Sequence, residues 1–154
     1  CYIRADDEDL YRDLFYKIGW SNLRIWKRFL QEFGDIYCVC RFGDDLGFKS
    51  TTLLPPDDIR ELVIPQYKPI IQAVHDAGKP FLLHSCGKIF DVMEDIIAAG
   101  IDAKHSNEDQ IAPFPYWVER YGDRIGNFVP DYVPTEGYLA MNRAVRRIRG
   151  DYHE

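Results

Sequence analysis

His84 and Cys86 stand two residues apart at the end of a short apolar run, Phe81-Leu82-Leu83. An extended chain alternates its side chains, so this spacing directs the imidazole and the thiol to one face. A neutral imidazole and a thiolate that converge form two corners of a zinc-type site, and a catalytic zinc takes three protein ligands plus an open position. The next reactive run, His105-Ser106-Asn107-Glu108, offers His105 or Glu108 as a further ligand and Asn107 as a group to bind a polar substrate. Asp44-Asp45, between Gly43 and Gly47, is an acidic pair in a turn-forming context. One of its carboxylates can act as a catalytic base or accept a hydrogen bond from substrate. Structural readings stand beside each of these. A strand end can bury a His and a small Cys without function, Glu108 can stabilise a helix start, and paired aspartates are common turn residues. Cys38-Val39-Cys40 and His75 read as packing and scaffold.

The elements that must position these groups alternate along the chain. Apolar periodicity from Leu10 to Phe33 predicts helix, divided in two near Gly19 and Ser21 and ended by Gly34. Ile36–Phe42 predicts a buried strand that opens into the Asp44-Asp45 loop. Asp57 or Asp58 is the expected cap of a helix running to Gly78, kinked or shortened by Pro65 and Pro69. A strand at Phe81–His84 follows, then helix over Ile89–Ala99, strand over Ile101–His105 and helix over Pro113–Tyr121. Ile125–Phe128 predicts another strand and Thr135–Ile148 a closing helix. Strands alternating with helices predict parallel βα units, arranged as an open doubly wound sheet or as part of a (β/α)8 TIM barrel. No glycine-rich phosphate loop follows any strand, which disfavours a nucleotide-binding sheet. Reactive residues at successive strand ends are what the active face of a barrel supplies. About four strands make half of one.

Composition narrows the partners. The 154 residues are 46% hydrophobic with a net charge of −6, which fits a globular domain and excludes a general nucleic-acid or membrane-surface binder. The basic run Arg143, Arg146, Arg147 and Arg149 reads as a solvated helix face. No apolar stretch reaches membrane-spanning length, no signal peptide is visible, and the four cysteines form no disulfide framework. A cytoplasmic setting is expected. With no initiator Met, a fragment or trimmed chain is expected too.

Several short runs occur in order: Arg41-Phe42-Gly43-Asp44-Asp45-Leu46-Gly47, Pro65-x-Tyr67-Lys68, Ala77-Gly78-Lys79-Pro80, His84-Ser85-Cys86-Gly87 and Ala99-Gly100-Ile101-Asp102-Ala103. Together they resemble the C-terminal half of the uroporphyrinogen decarboxylase superfamily, TIM barrels that include haem-pathway decarboxylases and corrinoid- or coenzyme M-dependent methyltransferases. The resemblance implies a single partial barrel domain over residues 1–154. In the methyltransferase branch the His-x-Cys-Gly tip supplies two zinc ligands, which fall on His84 and Cys86. That branch implies a zinc ion, a corrinoid carried by a partner protein, and a small-molecule methyl donor or thiol acceptor, with Asp45 orienting the substrate. The decarboxylases lack the His-x-Cys pair and hold their tetrapyrrole in an arginine- and aspartate-rich cleft without metal. This metal-free decarboxylase of porphyrin biosynthesis is the alternative. An inactive half-barrel that self-associates into a homo-oligomer is the other.

The chain departs from the methyltransferase pattern twice. The late Cys ligand has no counterpart in Gly126–Pro134. The resemblance also implies that a segment usual in the family is absent between Phe128 and Val129, either lost from the sequence or left out of these 154 residues.

Overall fold

The computed structural model describes residues 2–127 and, beyond them, Glu136, Leu139, Arg143, Arg146 and Arg147. These last five are helical, while the rest of the expected closing helix lies outside the described residues. The chain forms two compact units. One comprises the described residues through Cys40 together with Leu54–Phe81 and Phe90–Ile101. The other comprises Arg41–Leu53, Leu82–Ile89 and the described residues from Asp102 onward.

The first unit begins with a short helix, α1 (Tyr2–Asp6), and then α2 (Glu8–Phe33). Asp7 caps α2 by accepting the Leu10 N–H at 2.9 Å, and Glu8 and Asp9 place negative charge at the positive end of the helix dipole. Where the sequence predicts two helices, α2 runs unbroken for 26 residues. Gly19 is a site of close approach and not a break, because a Cβ there would overlap the side chain of Gln66. Gly34 keeps right-handed dihedrals and donates to the Leu30 carbonyl. Only Tyr11 and Gly19 of α2 are buried.

A continuous run follows through α3 (Pro56–Asp58), a π-helical turn at Ile59–Val63, and α4 (Ile64–Asp76). The wide turn ends at Val63, Pro65 lies in the first turn of α4, and Pro69 lies inside it. Neither proline can donate to the ladder, and a π turn is one way for a helix to absorb such a defect. The expected aspartate cap is absent. Pro55 occupies the cap position without a side-chain bond, and buried Asp58 instead accepts from Tyr11 Oη and Arg4, each at 3.0 Å. Ile59, Ile70, Val74, Phe81, Val92, Met93 and Ile96 form the core of this unit. Met93 and Ile96 lie on α5 (Met93–Ala98), shorter than expected.

Among the described residues, four strands make one sheet in the order β1 (Cys40–Gly43), β2 (Phe81–His84), β3 (Ala103–His105) and β4 (Gly126–Asn127). The strands are parallel, with Leu82 opposite Ala103, His84 opposite His105, and Ala103 opposite Gly126. Sequential order is that of an arc of a barrel, whereas the common doubly wound sheets reverse direction partway. The fold is therefore α/β and consistent with a partial TIM barrel. The strand expected over Ile36–Phe42 begins only at Cys40. Gly34–Ile36 form a turn in which the Ile36 N–H meets the Phe33 carbonyl, leaving Ile36 and Cys38 exposed. The core of the second unit is Leu83, Ile89, Trp117 and Tyr121, the last two from α6 (Phe114–Tyr121).

Candidate functional site

The chemistry gathers at the C-terminal ends of β1, β2 and β3, within the second unit. His84 ends β2, and its carbonyl accepts the Asp44 N–H at 2.9 Å, which fixes the loop after β1 beside the loop after β2. Two further bonds lock these loops: Leu46 N–H donates to Ser85 Oγ at 3.1 Å and Cys86 N–H to Asp45 Oδ1 at 2.9 Å. The loops then cross at Gly47 and Gly87. A Cβ on Gly47 would lie 2.7 Å from backbone atoms of Cys86, Gly87 and Lys88, and one on Gly87 would overlap the Gly47 carbonyl. Gly87 also has φ +76°, a conformation costly for any residue with a Cβ.

Asp45 is thereby drawn to the pair singled out by spacing. Ligand atoms of Asp45, His84 and Cys86 all lie within 4.8 Å of one another. His84 Nε2 is 3.6 Å from Asp45 Oδ1 and 3.5 Å from Cys86 Sγ. Carboxylate oxygen, imidazole nitrogen and thiolate are the donors that zinc takes, so the residues present fit such an ion. Asp44, beside this trio, is half-buried and contributes its backbone N–H to the strand pairing.

The loop after β3 lies against the same groups. His105 Nδ1 is 2.6 Å from His84 Nδ1, with ring centroids 4.8 Å apart and planes tilted by 31°. Ser106, in a left-handed conformation (φ 72°), places Oγ 3.2 Å from Cys86 Sγ and donates to Glu108 Oε1 at 3.1 Å. Glu108 Oε1 also accepts the Gly87 N–H at 3.1 Å. Asn107 is buried, its amide donating to Asn127 Oδ1 at 3.2 Å and so tying the ends of β3 and β4.

Beneath these loops lies Lys104, fully buried. Its Nζ donates to the carbonyls of Ser85, His105 and Ser106 at 3.2, 3.2 and 2.9 Å and reaches Asn107 Oδ1 at 3.4 Å. The Trp117 ring centroid is 4.5 Å away, within cation–π range. Burial lowers the Lys104 pKa to about 8, against the pull of Cys86 and Glu108. Burial likewise lowers the His84 pKa, helped by the Arg41 guanidinium and opposed by Asp45. It raises that of Cys86, with the Ser106 hydroxyl opposing.

Arg41, Lys104 and Ser106 belong to the site although their residue types and spacing assign them no role in the sequence. Lys104 carried a signal: strands of a parallel sheet are covered on both faces, so a lysine inside Ala103-Lys104-His105 must be buried and held.

The fold and site define an α/β protein of barrel type with its reactive groups on the strand C-terminal ends. The chain belongs to the uroporphyrinogen decarboxylase (URO-D) family, whose family model matches residues 6–152. That family is one of enzymes, decarboxylases or methyltransferases. Comparison with curated proteins and with solved structures gave no match. No helix among the described residues is long and apolar enough to cross a membrane.

Proposed function

We propose that this URO-D-family chain acts as a zinc-dependent methyltransferase, working with a corrinoid protein or a thiol acceptor. The observation that carries the reading is the convergence of Asp45, His84 and Cys86, whose ligand atoms lie within 4.8 Å of one another. These three residues would hold the metal, with Asp45 in the place of the late Cys that Gly126–Pro134 does not supply. A zinc ion held there lowers the pKa of a bound thiol, so that the thiol reacts as a thiolate. The chain's own residues set up that chemistry. The Asp45 carboxylate, with 55% of its side chain exposed against 21% for His84, is the donor a substrate reaches first. Ser106 and Glu108 give the Cys86 thiol proton a hydrogen-bonded exit: Sγ to Ser106 Oγ, then Ser106 Oγ to Glu108 Oε1.

Elemental analysis of the purified chain tests the reading. About one zinc per chain is expected, lost in His84→Ala and Cys86→Ala and reduced in Asp45→Ala. A metal-free protein that stays folded and transfers methyl groups, or decarboxylates a porphyrinogen in the presence of chelator, would overturn it.

A further inference from the structure

We infer that His105 is a positioning residue whose Nδ1 lone pair fixes the tautomer in which His84 can bind metal; this rests on the metal reading above. An imidazole can offer a lone pair at one nitrogen only while the other carries its proton. The side of His84 that faces Asp45 and Cys86 is Nε2, at 3.6 and 3.5 Å. For Nε2 to act as a ligand, the proton must sit on Nδ1, and something must accept it there.

Among the described residues, two side chains approach His84 Nδ1. Arg41 Nη2 is 3.1 Å away and His105 Nδ1 is 2.6 Å away. A guanidinium has donors and no acceptor. Arg41 therefore favours the opposite tautomer, with Nδ1 bare and the proton on Nε2, where it would block the ligand position. His105 alone of the two can accept, provided its own proton sits on Nε2. Arg41 and His105 thus pull the His84 proton to opposite nitrogens, and the balance between them sets how readily His84 becomes a ligand. The strand register enforces the contact: His84 and His105 are opposite each other at the parallel ends of β2 and β3, so neither ring reaches its place by a flexible loop. Metal-binding histidines generally need such a partner, and its loss weakens binding by about 10–100-fold.

The test removes the acceptor in one variant and keeps it in another. His105→Phe retains an aromatic ring but no lone pair, whereas His105→Asn retains an acceptor close to the Nδ1 position. Zinc affinity of the full chain is read by competition with a chromophoric chelator. The imidazole nitrogen shifts of the zinc-free protein are read by 15N NMR, where the tautomer is set by Arg41 and His105 alone. His105→Phe is expected to weaken zinc binding by about 10–100-fold, and His105→Asn to stay within about threefold of wild type. His84 in the wild type and His105→Asn should carry its proton on Nδ1. Wild-type affinity and an unchanged His84 tautomer in His105→Phe would overturn the role of His105 and leave the metal reading standing. A wild-type chain that binds no zinc would overturn both.

Discussion

Lys104 shows how much a single side chain can decide at this site. Its ammonium joins the carbonyl of Ser85, from the loop after β2, to those of His105 and Ser106, from the loop after β3. Loss of the amine takes a donor from the Ser85 and Ser106 carbonyls, at about 1–3 kcal/mol for each group that water cannot reach, while the His105 carbonyl keeps the Ser85 N–H at 3.5 Å. Lys104→Met, similar in volume, should therefore be destabilised by at least that amount in urea unfolding, and near-wild-type stability would count against the bridging role. The pH dependence has a definite sign. With a folded pKa of about 8 against about 10.5 unfolded, the unfolded chain holds more protons between those values. Stability contributed through Lys104 is depressed below about pH 8 and recovers as pH rises toward 10.5. Lys104→Met lacks that recovery, so its deficit relative to wild type should widen across the window. A constant difference would place the lysine's pKa near its ordinary value.

At the scale of elements, what was legible in the sequence depended on how local its cause was. His84 and Cys86 could be paired from spacing alone, because alternation along an extended chain is a local rule. Asp45 was visible as a reactive residue, but its approach to that pair depends on two loops crossing at Gly47 and Gly87, residues 40 positions apart in the chain. His105 and Glu108 were expected near the pair as metal donors. The structure sets His105 against the far nitrogen of His84, and Glu108 on Ser106 and the Gly87 N–H. Boundaries failed where propensity competed with context. Ile36 and Tyr37 favour strand yet lie in and after a turn, and Gly19 looks like a helix break until Gln66 is placed beside it. The loop crossing gives its own prediction. Gly78 has φ +70° with nothing within 4 Å of the place a Cβ would take, so Gly78→Ala carries only the cost of a left-handed residue, about 1–2 kcal/mol. Gly87→Ala carries that cost plus the overlap with Gly47. It should be the more destabilised of the two in denaturant, and it alone should weaken zinc binding. Equal losses with unchanged zinc affinity would mean that the loops part without disturbing the site.

Across the whole molecule, the family match over residues 6–152 and the sequential parallel sheet agree with what alternating helices and strands predict. Alternation fixes the class of fold, but it does not specify which loops touch, and the site lies where they do. Gly47 and Gly87 therefore behave as one thermodynamic unit shared by two distant segments. Once a methyl at either position has forced the backbones apart, a methyl at the other finds part of the room already made. In a double-mutant cycle, Gly47→Ala with Gly87→Ala should cost less than the sum of the single changes, by a coupling of about 0.5–3 kcal/mol. Strict additivity would show that the two loops bend independently. Substitutions here are epistatic: what either position tolerates depends on the residue at the other.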